Sequence, residues 1–137
     1  MATVSGQVNL TNNLFSDFDF NFTMLPGTQD IAKKNNAEAI KQSIRNIIFS
    51  NNYCRPFQPD FGSQINQLLF SLWTPLSKAS LQRVISDAIN NYEPRVTLTS
   101  VEINDRSTSN AIDVTIFFTI NNVNTPITMT LTLNRIR

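Results

Sequence analysis

The stretch Tyr92-Glu93-Pro94-Arg95-Val96 divides the chain into two kinds of periodicity. Ahead of it, Leu81, Val84, Ile85, Ala88, Ile89 and Tyr92 recur at the three- and four-residue spacings of a helix with one apolar face. Beyond it, apolar residues alternate as they do in a sheet. Pro94 has no backbone N–H and biases Glu93 towards an extended conformation, so the helix is expected to stop at or just before Glu93 and to deliver Glu93 to Arg95 to the surface. A carboxylate at a helix C-terminus faces the negative end of the macrodipole, at a cost of roughly 0.3–1 kcal/mol unless a cation compensates. Arg95 is the obvious cation. In an extended segment residues i and i+2 point the same way, so Glu93 and Arg95 either pair with each other or are presented together to a partner.

Upstream, Thr74 followed by Pro75 marks the start of that helix, with proline at the first helical position where its missing donor costs nothing. Downstream, Val96 and Leu98 are in one phase while Val101 and Ile103 are in the other, which predicts a bulge near Thr99 or Ser100. Ile112, Val114, Ile116, Phe118 and Ile120 oppose Asp113, Thr115, Phe117 and Thr119 in a second strand. After a turn at Asn121 to Thr125, Ile127, Met129, Leu131 and Leu133 oppose Thr128, Thr130 and Thr132 in a third.

Before Thr74 lie a helix and a rigid loop. Ala37, Ile40, Ile44, Ile47 and Ile48 predict a helix over residues 31–49, with Asp30 as its N-cap and Asn51 and Asn52 at its end. In the loop, Arg55, Pro56, Phe57, Pro59, Asp60, Phe61 and Gly62, two prolines fix φ around Phe57, and Gly62 can supply a positive φ. The expectation is an apolar plug with Phe57 and Phe61 in the core and Asp60 bonding backbone N–H groups near Gly62. Ser63 reads as the N-cap of a short helix carrying Ile65, Leu68 and Leu69. In the first 30 residues Phe18, Phe20 and Phe22 alternate with polar residues, giving an extended arm that either straps its own domain or orders against a neighbouring subunit.

Together these elements predict one α+β domain over residues 1–137: an extended arm to residue 30, a helical part over 31–93 and a β part over 94–137. A small antiparallel sheet, a C-terminal hairpin plus one strand, packs against two main helices and one short one.

Composition removes several functions. The chain is 41% hydrophobic and only 15% charged, with net charge +1, so its surface tolerates close association. No Lys/Arg cluster suggests nucleic-acid binding. Without histidine, Ser-His and Cys-His catalysis and most zinc sites are excluded, and no other metal or cofactor motif is present. Cys54 is the only cysteine, which forbids an internal disulfide and reads as a half-buried structural thiol. No apolar run approaches the roughly 18 residues of a membrane span, nor does the N-terminus resemble an export signal, so a soluble, non-exported chain is expected. The one enzyme reading left is a glycosidase, which needs only two carboxylates about 5–9.5 Å apart; Asp60 and Glu93 are the candidates.

The hairpin carries a different signal. From Val114 to Leu133 there is no charged residue, and Pro126 sits at the start of the third strand, where it blocks little of an edge. The outward positions Thr115, Thr119, Thr128, Thr130 and Thr132 favour extended structure without repelling a visiting strand. The hairpin is therefore expected either to accept strands from another chain or to be covered by the Phe-rich arm.

Arg55-Pro56-Phe57, Pro59-Asp60-Phe61-Gly62, Leu69-Phe70, Thr74-Pro75-Leu76 and Asn91-Tyr92-Glu93-Pro94-Arg95-Val96, in this order, resemble the signature of a phage family. It is the contractile-tail baseplate wedge subunit known as gene product twenty-five, also called lysozyme-like and related to a baseplate component of the type VI secretion system. The resemblance covers about residues 37–103. It implies a structural virion protein without enzymatic activity, present in multiple copies around the six-fold tail axis and assembled in the host cytoplasm. Its implied partners are other wedge proteins at Tyr92, Glu93, Pro94 and Arg95, the tail sheath protein at the threonine-bearing strands, and the tube or hub side of the baseplate. Peptidoglycan cleavage, or the adaptor role in a secretion baseplate, is the alternative. Where many members carry a Gly-Glu pair before the Arg-Pro segment, this chain has Asn52, Tyr53 and Cys54, so no role of that acid carries over.

Overall fold

The strongest alternation in the sequence becomes the centre of a sheet. A computed structural model describes residues 14–121 and 125–135. They belong to two compact units, residues 1–39 and residues 40–137.

In the second unit the order of elements is α1 (Ala37–Phe49, entering from the first unit), α2 (Ile65–Leu69), α3 (Pro75–Tyr92), β3 (Val96–Arg106), β4 (Ala111–Ile120) and β5 (Pro126–Asn134), following two short strands β1 and β2 described below. The sheet is antiparallel in the order β3-β4-β5. As the central strand, β4 places Ile112, Val114, Ile116, Phe118 and Ile120 at 2% exposure or less. Val96 pairs with Ile120 and Arg106 with Ala111, with the expected bulge lying between Leu98 and Ser100. A 3-10 turn at Ser107–Ser109 and Asn110, at φ 51, connect β3 to β4; asparagine tolerates that left-handed conformation better than most residues. β5 runs back from Thr119↔Pro126 to Ala111↔Asn134. Residues 122–124 of the expected turn lie outside the described residues.

The helical residues of this unit supply the other half of its core. Ile40, Ile44, Ile47 and Ile48 of α1 and Leu81, Ile85, Ala88 and Ile89 of α3 are buried, as their spacing requires. Burial of each large side chain contributes about 1.5–3 kcal/mol relative to exposure. α3 packs on β3 and α2 on α3. The α+β class read from the sequence is the observed one.

The first unit corrects a helix boundary. Residues 31–36 do not begin α1: β2 (Lys33–Asn35) pairs antiparallel with β1 (Ser16–Phe18). Its ladder continues through Asp19 N–H to Ala32 O and Ala32 N–H to Thr23 O, both at 2.8 Å, so these backbone groups are not available to a helix. Asp30 Oδ1 accepts from the adjacent Ile31 N–H at 2.8 Å instead of capping. The chain turns at Asn36, φ 49, whose Oδ1 accepts from Leu14 N–H at 3.0 Å. Asp19 is buried within this hairpin; hydrogen bonds from Lys34, at 3.0 Å, and from Thr23, at 2.9 Å, hold its carboxyl below the usual range. Phe18, Phe20 and Phe22 are all more than half exposed. Residues 1–13 of the expected arm lie outside the described residues.

The start of α3 is the clearest local rule obeyed. Thr74 is extended, with φ −133 and ψ 162, and its hydroxyl accepts from Ser77 N–H at 3.1 Å, with Pro75 in the first turn. Replacing Thr74 by Ala leaves that amide without its cap and should lower stability by about 1 kcal/mol, whereas Thr74→Asp should retain most of it. Thermal melts of the two variants check this: equal losses would mean that the cap is not what Thr74 contributes.

Candidate functional site

The helix-to-sheet junction is built around a buried carboxylate. Glu93 is the C-cap of α3: its N–H still bonds Ile89 O at 2.9 Å while its own φ and ψ, −126 and 78, have left the helix. The sequence placed Glu93 at the surface, but it is only 1% exposed. Arg95 closes over it with a two-point contact, Nε to Oε1 at 2.5 Å and the terminal nitrogen to Oε2 at 2.7 Å. Ser43 of α1 adds a further hydrogen bond to the carboxylate. Burial, the largest single influence, pushes the Glu93 pKa up. The hydrogen bonds from Arg95 and Ser43 and the Arg95 charge together outweigh it and hold the carboxyl below its usual range. The Arg95 side chain is 35% exposed. Asn121, at the far end of β4, fastens the junction from the other side: its N–H bonds Arg95 O at 3.1 Å and its amide bonds Pro94 O at 3.0 Å.

The 55–62 loop is tied to this junction through aromatic rings. Arg55 lies 3.9 Å over the Phe61 ring, and Phe61 meets Tyr92 with ring centroids 4.9 Å apart. The Tyr92 hydroxyl donates to the backbone carbonyl of Asp60, so Asp60 serves the loop through its main chain. Two tight turns, Gln58 N–H to Arg55 O and Phe61 N–H to Gln58 O, and the bond from Tyr53 N–H to Pro59 O at 2.8 Å close the loop on itself. Gly62 is at φ +116, and a Cβ there would meet Ser50 O at 2.5 Å, so no other residue fits without displacing backbone.

Three expectations for this region are overturned. Phe57 is not in the core but 97% exposed, because the turns that fix the loop aim it outward; Phe61 is half-buried. Ser63 caps no helix: its hydroxyl donates to Ile48 O at 2.8 Å, and Gln64 stands at the α2 N-cap without a side-chain bond. Cys54 is exposed instead of half-buried, since it lies in the outward-facing loop approach. Tyr53, within the segment where the resembling family carries Gly-Glu, adopts φ 65, a conformation glycine takes freely.

The sheet has two unlike edges. On β3, the bulge after Leu98 breaks the ladder, Glu102, Asp105 and Arg106 add charge, and Gln82 of α3 donates to Val101 O at 2.8 Å. On β5, Pro126–Asn134 carries no charge, and among the described residues no strand pairs with its outer side. Thr128, Thr130 and Thr132 are exposed, and Thr115 and Thr119 are half-exposed beside them on β4. Thr115 lies opposite Thr130, and Thr132 donates to Asp113 Oδ1 at 2.8 Å, where Arg106 also pairs at 2.6 Å. Sequence reading did not find Ser43 or Gln82. Ser43 left a signal, a polar residue in line with Ile40 and Ile47 on the apolar face of α1; Gln82 left none.

The arrangement does not suit the acid of a glycosidase. A glycosidase acid needs a raised pKa, and Glu93 is held in the opposite direction by a cation that occupies both its oxygens. Among the described residues, no three of Cys, Asp and Glu gather as a metal-binding group, and no helix is long and apolar enough to cross a membrane.

Comparison with known proteins places the fold. The family model described as baseplate wedge protein gp25 matches residues 34–125. Baseplate wedge protein gp25 of Enterobacteria phage T4 is 35% identical over 92 residues, covering 67% of this chain and 69% of the T4 protein. A candidate tail lysozyme from Geobacter sulfurreducens superposes with a TM-score of 0.68 at 24% identity, over 72% of this chain and 89% of that one. A chain of the anti-feeding prophage baseplate gives 0.61 at 18% identity, over 90% of this chain and 87% of that one. A chain of the type VI secretion baseplate complex gives 0.59 at 17%, over 70% and 90%. These three structural likenesses establish the shared fold.

The buried pair makes a signed prediction for pH. With its pKa depressed, Glu93 contributes stability that is fully present above the unfolded value of 4.5 and lost as pH falls through the lower folded value. In Arg95→Ala the buried Glu93 carboxylate loses its guanidinium and the two bonds it donates, so the compensation for burial is weakened while Glu93 is ionised. Arg95→Ala should therefore cost about 2 kcal/mol at pH 7, below the range for fully buried pairs because Arg95 is partly exposed. The difference from wild type should shrink as pH falls below about 4.5. Denaturant melts at pH 7 and pH 3.5 measure this; a pH-independent difference would contradict it.

Proposed function

The chain belongs to the gp25 family of baseplate wedge proteins, and on that footing we propose that it is a structural part of a contractile-tail baseplate in the virion. In this reading it joins the wedge to the sheath and starts the sheath by accepting strands on its own sheet. It is present in multiple copies around the six-fold axis, beside the tube or hub, and assembles in the host cytoplasm.

The observation that carries the reading is the asymmetry of the two sheet edges. Unpaired N–H and C=O groups recruit other strands, and proteins ordinarily blunt such edges with charge, bulges or covering side chains. β3 has all three devices, whereas β5 carries no charge and keeps an unbroken register with β4. An incoming strand would find main-chain partners along β5, with the threonines beside it. At the helix-to-sheet junction Pro94 and the partly exposed Arg95 face outward, while Glu93 orients Arg95 from beneath; wedge contact then falls on Arg95, Pro94 and Tyr92. A helical bundle of neighbouring wedge proteins is the proposed partner there. The lysozyme alternative gains nothing from a Glu93 locked to Arg95, and a secretion-system adaptor would use the same surfaces in another setting.

Two substitutions on the open edge test strand addition: Thr128→Lys and Thr130→Lys, which avoid Thr132 because it bonds Asp113. Both positions are exposed, so the melting of the double variant should stay within about 1 kcal/mol of wild type, taking about 0.5 kcal/mol per site. Baseplates carrying it should form but lack sheath by electron microscopy. Normal sheath on those baseplates would overturn the proposal.

A further inference from the structure

Phe57 is the most exposed of the large apolar side chains described, at 97%, yet it sits on one of the best-fastened loops of the fold. Pro56 and Pro59 flank it, the two turns of residues 55–61 and the Tyr53–Pro59 bond hold the backbone, and the Tyr92 hydroxyl grips the loop from α3. Those bonds fix the backbone on both sides of Phe57, and from it the ring stands in solvent. Two residues away, the Arg55 guanidinium is held flat against Phe61 at 3.9 Å. Among the described residues no carboxylate pairs with it. Aromatic rings and arginines are enriched at protein interfaces, and a rigid loop spares the entropy of ordering a ring and an arginine that has no carboxylate partner among the described residues.

We infer that Phe57 and Arg55 form a two-pronged anchor that docks into an apolar pocket rimmed by a carboxylate on a different protein of the baseplate. The ring fills the pocket and the guanidinium meets the acid at its edge, where stacking on Phe61 leaves its N–H fork free to take both carboxylate oxygens. The inference rests on the baseplate reading but not on the roles given to Arg95 or to β5. A second copy of this chain is a poor host: the cavity of about 260 Å³ near α2, where Tyr53 and Phe70 stand among asparagine, glutamine and serine side chains, offers no carboxylate to Arg55.

The test uses the full chain co-assembled with the other wedge proteins of its own tail. Phe57→Ala should melt as wild type does, since the ring is almost wholly in solvent, yet bind the wedge complex roughly 30-fold or more weakly, with Phe57→Trp retaining most of the affinity. A photo-crosslinking phenylalanine at position 57 in assembled baseplates should attach to apolar residues next to an Asp or Glu of another protein, and a charge swap between that acid and Arg55→Glu should restore binding. Unchanged wedge binding by Phe57→Ala, or a crosslink to a second copy of this chain, would overturn the inference. If Phe57→Ala binds normally while Arg95→Lys does not, this inference fails and the Arg95 reading stands. If Phe57→Ala fails while Arg95→Lys binds normally, the anchor stands and the Arg95 reading fails.

Discussion

A carboxylate taken out of water at the end of a helix must be satisfied from every side, and at Glu93 this requirement joins three parts of the chain. Ser43 of α1 supplies one hydrogen bond, Arg95 at the start of the sheet supplies two, and the last turn of α3 holds the backbone through Ile89. Removing one partner from a buried pair leaves an uncompensated charge, typically at a cost of 3–5 kcal/mol when burial is complete. Pro94 makes the arrangement directional, because the helix cannot run on and β3 must begin where Arg95 points back. Asn121 then ties the far end of β4 to the same spot.

From that junction the positions of the binding surfaces follow. β3 leaves it as the strand covered by α3, so the helix can spare Gln82 for a carbonyl on that edge. β5 lies two strands away from the junction, on the opposite edge of the sheet. The Tyr92 ring, one residue before Glu93, stacks on Phe61 and thereby fixes the loop that carries Arg55 and Phe57. The junction thus holds a partly exposed arginine directly and, through Tyr92 and Phe61, the loop that carries a protruding aromatic.

Much of this was legible in the residues, for identifiable reasons. β4 is buried on one face, so its alternation is strict, and α3 combines a proline start, a continuous apolar stripe and a proline stop. The bulge in β3 showed as a change of phase between Leu98 and Val101. What was not legible depends on distant partners. The burial of Glu93 requires Ser43, some fifty residues earlier, and the start of α1 was displaced by pairing with Ser16–Phe18, which competes for backbone groups that local spacing assigned to a helix. Phe57 was misplaced because aromatic character near prolines suggests a core, whereas the turns that aim it into solvent are set by bonds to Tyr53 and Tyr92. At the candidate site the residue types were visible in the sequence, but which of them face a partner was not.

Amide hydrogen exchange compared between the free protein and assembled, sheathed tails bears most directly on strand addition. If β5 receives strands, the amides of residues 127–134 that face away from β4 exchange rapidly in the free protein and become strongly protected in the tail, while those along β3 change little. Equal exchange at residues 127–134 in both states, or new protection confined to residues 96–106, would contradict it.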